Sequence, residues 1–136
     1  MEKEEDIYRE TILELYKNPE NFGKLRKYTN SNRSYNATCG DDITIYVLAR
    51  DGKIEDIRFE GKGCALCIAS SSMLTEEVKG KSIEDIMKMK RENITNMMGM
   101  DVGPVRVKCV MLPLESLHKS LMTDNNSNNG DNNVRD

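Results

Sequence analysis

Four cysteines, Cys39, Cys64, Cys67 and Cys109, carry the chemistry of this chain. The first lies in Ala37-Thr38-Cys39-Gly40-Asp41-Asp42 and the next two in Gly61-Lys62-Gly63-Cys64-Ala65-Leu66-Cys67, while Pro104-Val105-Arg106-Val107-Lys108-Cys109 ends on the fourth. A thiolate is both a soft metal ligand and a nucleophile, so these runs point to a metal or sulfur site. Glycine beside Cys39 and Cys64 removes a Cβ and lets the backbone approach a bulky inorganic centre.

Cys64-Ala65-Leu66-Cys67 has more than one reading. A C-x-x-C pair at a helix start could be a redox dithiol, because the helix N-terminus stabilises a thiolate. Alternatively Cys64 is a ligand or sulfur acceptor. Cys67, one helical turn on, is then either a neighbour on the same face or, as the residues around it favour, a small packing residue. Cys39, between flexible residues, and Cys109, beside Lys108, are expected to be exposed thiols of lowered pKa, with Cys64 more enclosed. Other motifs fall away. Gly80-Lys81-Ser82 lacks the earlier glycine of a phosphate loop and has Thr75 in its place, and Gly61-Lys62-Gly63 lacks the third glycine of a dinucleotide site. His118 is the only histidine, expected to be exposed or partner-facing on an amphipathic helix, so no Ser/His/Asp arrangement arises.

The elements that must position these thiols can be read from periodicity. Ile7, Tyr8, Ile12, Leu15 and Tyr16 share one face of a helix over 5–17, closed by Asn18-Pro19-Glu20-Asn21-Phe22-Gly23. Residues 24–36 read as a solvated loop. Ile43, Ile45 and Val47 alternate with Thr44, Tyr46 and Leu48, and Asp51-Gly52 supplies a hairpin turn before Ile54–Phe59; residues 34–38 form a third strand. A helix follows over 66–79, stopped by Gly80. Ser82 caps a short helix from Ile83 to Met89, and further helices cover 91–98 and 110–122, with Pro113 in the opening turn of the last. The expected architecture is α+β, a small three-stranded antiparallel sheet packed against helices.

At 136 residues the chain fits one domain, expected over 1–123, followed by an Asn-rich tail, 124–136, too polar to order. A net charge of -3 offers no global basic field for nucleic acid or an anionic membrane surface. The acidic start Met1-Glu2-Lys3-Glu4-Glu5-Asp6 is unlike a signal peptide, and no apolar run reaches the roughly 18 residues of a membrane span. A cytosolic location follows, where thiols stay reduced and the sequons at Asn32, Asn36 and Asn93 are chance matches. Monomer and homodimer both remain open.

The ordered motifs Asn18-Pro19-Glu20-Asn21-Phe22-Gly23, Cys39-Gly40-Asp41, Gly63-Cys64, Ala69-Ser70-Ser71-Ser72, Val78-Lys79-Gly80-Lys81-Ser82 and Pro104–Cys109 together resemble the U-type (IscU-like) iron-sulfur cluster assembly scaffolds from about Tyr8 to Leu121. The resemblance implies that Cys39, Asp41, Cys64 and Cys109 bind zinc or a nascent [2Fe-2S] cluster. It also implies that sulfur comes from a cysteine desulfurase and that the cluster passes to acceptor apoproteins. Lys108 stands where IscU-like members often have histidine and in this resembles the zinc-bearing sulfur-acceptor branch instead; a protonated ammonium cannot ligate, so its part would be supportive. The interval from Cys64 to Cys109 is too short for that branch's insertion. Val102-Gly103-Pro104-Val105-Arg106 matches the chaperone-docking segment only in part, and Cys67 is an extra thiol. The rival implied function is zinc-dependent sulfurtransferase activity.

Overall fold

The computed structural model describes residues 2–100 and 102–122; the expected tail, 124–136, lies outside them. Its elements run α1 (Glu2–Lys17), β1 (Asn30–Asn36), β2 (Asp41–Arg50), β3 (Lys53–Lys62), α2 (Ala65–Val78), α3 (Ile83–Met87), α4 (Arg91–Met98) and α5 (Gly103–Met122). The three strands form one antiparallel sheet in the order β1-β2-β3. This is the α+β arrangement expected from the sequence.

Alternation in β2 buries Ile43, Ile45 and Val47 completely, as a half-covered sheet requires. Asp51 and Gly52 both take positive φ, the backbone of a two-residue hairpin turn. In β3, Ile54 and Ile57 are both buried although three positions separate them. Pairing passes from Leu48↔Asp56 to Ala49↔Ile54, so Glu55 is an extra residue whose bulge returns Ile54 to the core face.

β1 starts earlier than the expected 34–38 and occupies much of the segment read as loop. Its Asn- and Ser-rich sequence has low strand propensity, so the pattern hides it. Polar bonds to α5 hold it instead: Asn32 Nδ2 donates to Ser116 Oγ (3.0 Å), Ser116 Oγ donates to the Asn32 carbonyl (2.9 Å), and Asn30 Nδ2 donates to the Ser120 carbonyl (3.0 Å).

The helices close over one face of the sheet. α2 is central, contacting α1, β3, α4 and α5. α1 rests chiefly on α2, and a single neighbour covers only a narrow stripe: Ile12 is buried, but Ile7 and Tyr16, expected on the same covered face, are exposed. Ser82 accepts a bond from the Asp85 amide at 3.0 Å and caps α3. α5 begins at Gly103, well before the expected 110, with Pro104 in its first turn. Pro113 therefore falls inside the helix, not at its start. Lacking an N–H, it leaves the Cys109 carbonyl without its usual helical donor.

Candidate metal centre

Three separate parts of the fold deliver the thiols. Cys39 lies in the turn between β1 and β2, and Asp41 opens β2 directly after it. Cys64 is the residue before α2, just past the end of β3, and Cys109 sits in α5. One ligand atom each from Cys39, Asp41 and Cys109 can be found within 4.8 Å of one another. The Cys109 and Cys39 sulfurs are 2.9 Å apart, well beyond the ~2.05 Å of a disulfide, and all four cysteines are free. Cys64 stands just outside this tight set but lines the same place. Its backbone N–H donates to Asp41 Oδ1 at 2.9 Å, and its thiol is close enough to act on Cys109.

Asp41 is 1% exposed, a nearly fully buried carboxylate that needs partners. Cys64 N–H satisfies Oδ1, while Asn36 Nδ2 donates to Oδ2 at 3.3 Å. The same amide nitrogen lies 3.7 Å from Cys109 Sγ, as a donor. Asn36 and Asp41 are direct cross-strand partners, which fixes the contact through the hairpin register. Sequence reasoning passed over Asn36 except as a chance sequon. The signal that finds it is its place opposite Asp41 across the turn.

Gly63 is required here by the protein's own carboxylate. A Cβ at that position would stand 2.7 Å from Asp41 Oδ1 and 3.3 Å from Cys67 Cβ. Around Gly40, by contrast, a Cβ would meet nothing within 4 Å, so the side of the site beside Cys39 is open.

The thiols differ in a way the sequence misjudged. Cys109, expected to be exposed and acidic, is buried, and its thiol pKa is pushed up, first by burial and then by hydrogen bonds with Cys39, Asp41 and Cys64. Helical residues next to each other point about 100° apart, so Lys108 is exposed while Cys109 faces inward. Cys64, expected to be enclosed, is half-buried, as is Cys39. Cys67 is fully buried in the hydrophobic core, its thiol raised by burial and then by the charge of Asp41 and by Cys64. His118 faces the protein's own α3, its Nε2 2.8 Å from the Ile86 carbonyl.

A buried carboxylate among three soft sulfur donors is a donor set suited to zinc or to an iron-sulfur centre, and an α+β domain bearing it is of the metal- and sulfur-handling class. The chain belongs to the NifU-like N-terminal domain family, which it matches over residues 7–129. It is 34% identical over 116 residues to the iron-sulfur cluster assembly scaffold protein IscU 1 of Archaeoglobus fulgidus, covering 85% of this chain and 75% of that one. It is 32% identical over 139 residues to the zinc-dependent sulfurtransferase SufU of Bacillus subtilis, covering 90% and 94%. Among solved structures it is similar to FiSufU of Fervidobacterium islandicum, described as a cluster assembly scaffold for the SUF system. That match has a TM-score of 0.71 and 30% identity, over 82% of this chain and 94% of the other.

Proposed function

We propose that this protein is a scaffold on which iron and desulfurase-derived persulfide sulfur are assembled into a [2Fe-2S] cluster, which then passes to acceptor apoproteins. The observation that carries the reading is the convergence of Cys39, Asp41 and Cys109 within 4.8 Å from a turn, a strand and a helix. With Cys64 at the edge of the same site, three thiolates and one carboxylate make up the ligand set. The carboxylate is the harder partner for iron and the one an acceptor thiolate displaces most readily. In this reading the protein is a platform rather than an enzyme. A cytosolic location suits its four free thiols, and among the described residues no helix is long and apolar enough to cross a membrane.

A second reading is a zinc-dependent sulfurtransferase, in which zinc rests on these ligands and a half-exposed thiol accepts persulfide sulfur. The similarity to SufU along nearly its whole length and the exposed Lys108 favour it. A redox dithiol is disfavoured by the burial of Cys67.

Anaerobic reconstitution with ferrous iron, cysteine, a cysteine desulfurase and a thiol reductant, which with the iron supplies the electrons that take persulfide sulfur to sulfide, separates these readings. The scaffold gives a visible sulfur-to-iron charge-transfer spectrum with iron and sulfide near two each per chain. Tight zinc with no cluster gives the sulfurtransferase.

A further inference from the structure

We infer that Asn36 is a positioning residue of this centre: its side-chain amide holds Asp41 and Cys109 together and donates a hydrogen bond to the Cys109 sulfur when metal is bound. The inference rests on the metal-binding reading of the site but not on what the bound metal is used for.

The observation is one amide nitrogen shared by two of the ligands, at 3.3 Å from Asp41 Oδ2 and 3.7 Å from Cys109 Sγ. A primary amide has two N–H groups, one for each partner, and it is uncharged and a donor at every working pH. Asp41 Oδ2 and Cys109 Sγ both stand as acceptors toward this nitrogen, and a neutral double donor between them ties the two together without competing for the metal.

The geometry is built into rigid elements. Asn36 is the last residue of β1 and pairs across the turn with Asp41, so its side chain is placed by strand register. β1 is pinned to α5 through Asn32–Ser116 and Asn30–Ser120, and α5 carries Cys109. The spacing between the amide and the sulfur is thus set by the sheet-to-helix packing and not by the turn. A hydrogen bond to a ligating sulfur withdraws charge from it, and partners of this kind orient ligands and tune the metal.

The test uses the full chain, cobalt(II) and no desulfurase. Asn36→Leu keeps the approximate size and removes both donors. It is expected to bind cobalt roughly tenfold more weakly, with its sulfur-to-cobalt charge-transfer band moved to lower energy and its far-ultraviolet circular dichroism unchanged. Asn36→Gln, which restores an amide, should bring the band back toward its original energy. A Leu variant with unaltered affinity and band energy overturns the inference. If that variant does not fold, ¹⁵N-labelled wild-type protein loaded with cadmium decides the matter. An Asn36 amide proton shifted downfield and slowed in exchange supports the inference, and one at the position of a free asparagine overturns it. Failure of the scaffold reading looks different: wild-type protein binds cobalt through its thiols yet assembles no cluster.

Discussion

Ser70 donates from its buried hydroxyl to the carbonyl of Val110, 2.7 Å away, and so fastens α2 to α5 one residue beyond Cys109. The whole run Ser70-Ser71-Ser72 is buried, and the other two hydroxyls are also bonded. Ser71 donates to the Cys67 carbonyl, and Ser72 accepts from the Glu20 amide. Ser70→Ala should lower stability by about 1 kcal/mol. Urea unfolding would show it as a lower midpoint with an unchanged slope. An unchanged midpoint would mean that α5 is held without this bond.

Cys39→Ala, Cys64→Ala and Cys109→Ala should each fail to retain a cluster through desalting, since each leaves too few soft donors. Cys67→Ala should retain one with a near-native spectrum, because that thiol belongs to the core. Visible absorption together with iron and sulfide analysis after gel filtration checks all four. Loss of the cluster in Cys67→Ala would move Cys67 into the ligand set.

Thiol reactivity in the metal-free protein should divide by exposure. Persulfide chemistry and alkylation both need an accessible thiolate; Cys39 and Cys64 are half-buried, whereas Cys67 and Cys109 are buried with raised pKa. Timed iodoacetamide labelling followed by mass mapping should find Cys39 and Cys64 modified first. First labelling at Cys67 would revive the dithiol reading.

The same burial gives a pH dependence. Cys67 has its pKa raised in the fold, so the native state keeps the proton that the unfolded chain releases. Its contribution to stability is complete below the unfolded value of about 8.5. Above that pH it is lost at about 1.4 kcal/mol per pH unit, until the folded thiol itself ionises. Metal-free protein should therefore unfold at lower urea as pH rises from 8 to 10, and Cys67→Ala should flatten that fall. Equal slopes in the two proteins would show that Cys67 gains no proton affinity on folding.

If the proposed ligand set holds, Asp41→Ala should slow cluster transfer to an apo-ferredoxin more than it lowers assembly, because it removes the displaceable oxygen donor. It should also reduce stability by about 1–3 kcal/mol, since the Cys64 N–H and the Asn36 amide lose their acceptor. Transfer kinetics and urea unfolding on one preparation separate the two effects. Unchanged transfer would argue against Asp41 as a ligand.

The β2–β3 hairpin, α2, the Ser82 cap and α4 were legible because local chemistry decides them: strict alternation, Asp51-Gly52, and an N-cap serine three residues before Asp85. What was hidden depends on neighbours. β1 is a polar strand stabilised by Ser116 and Ser120, far along the chain. The bulge at Glu55 is a property of pairing, not of β3 alone. Pro113 misled because proline is easiest to place at a helix start, a position that Pro104 fills instead. At the site, the spacing of the cysteines showed where donors lie along the chain. It could not show that Cys109 faces inward, which only the packing of α5 determines, nor that Asn36 faces Asp41 across the turn.

The route of the chain through the centre also orders its making. Cys39, Asp41 and Cys64 come from the hairpin and the junction after it, whereas Cys109 is carried by α5 at the far end of the described fold. A chain emerging from the ribosome builds structure from its N-terminus, so it presents two thiols and a carboxylate of the proposed ligand set before the last sulfur is made. On the proposed ligand set, the centre is therefore complete only once α5, which carries Cys109, has docked.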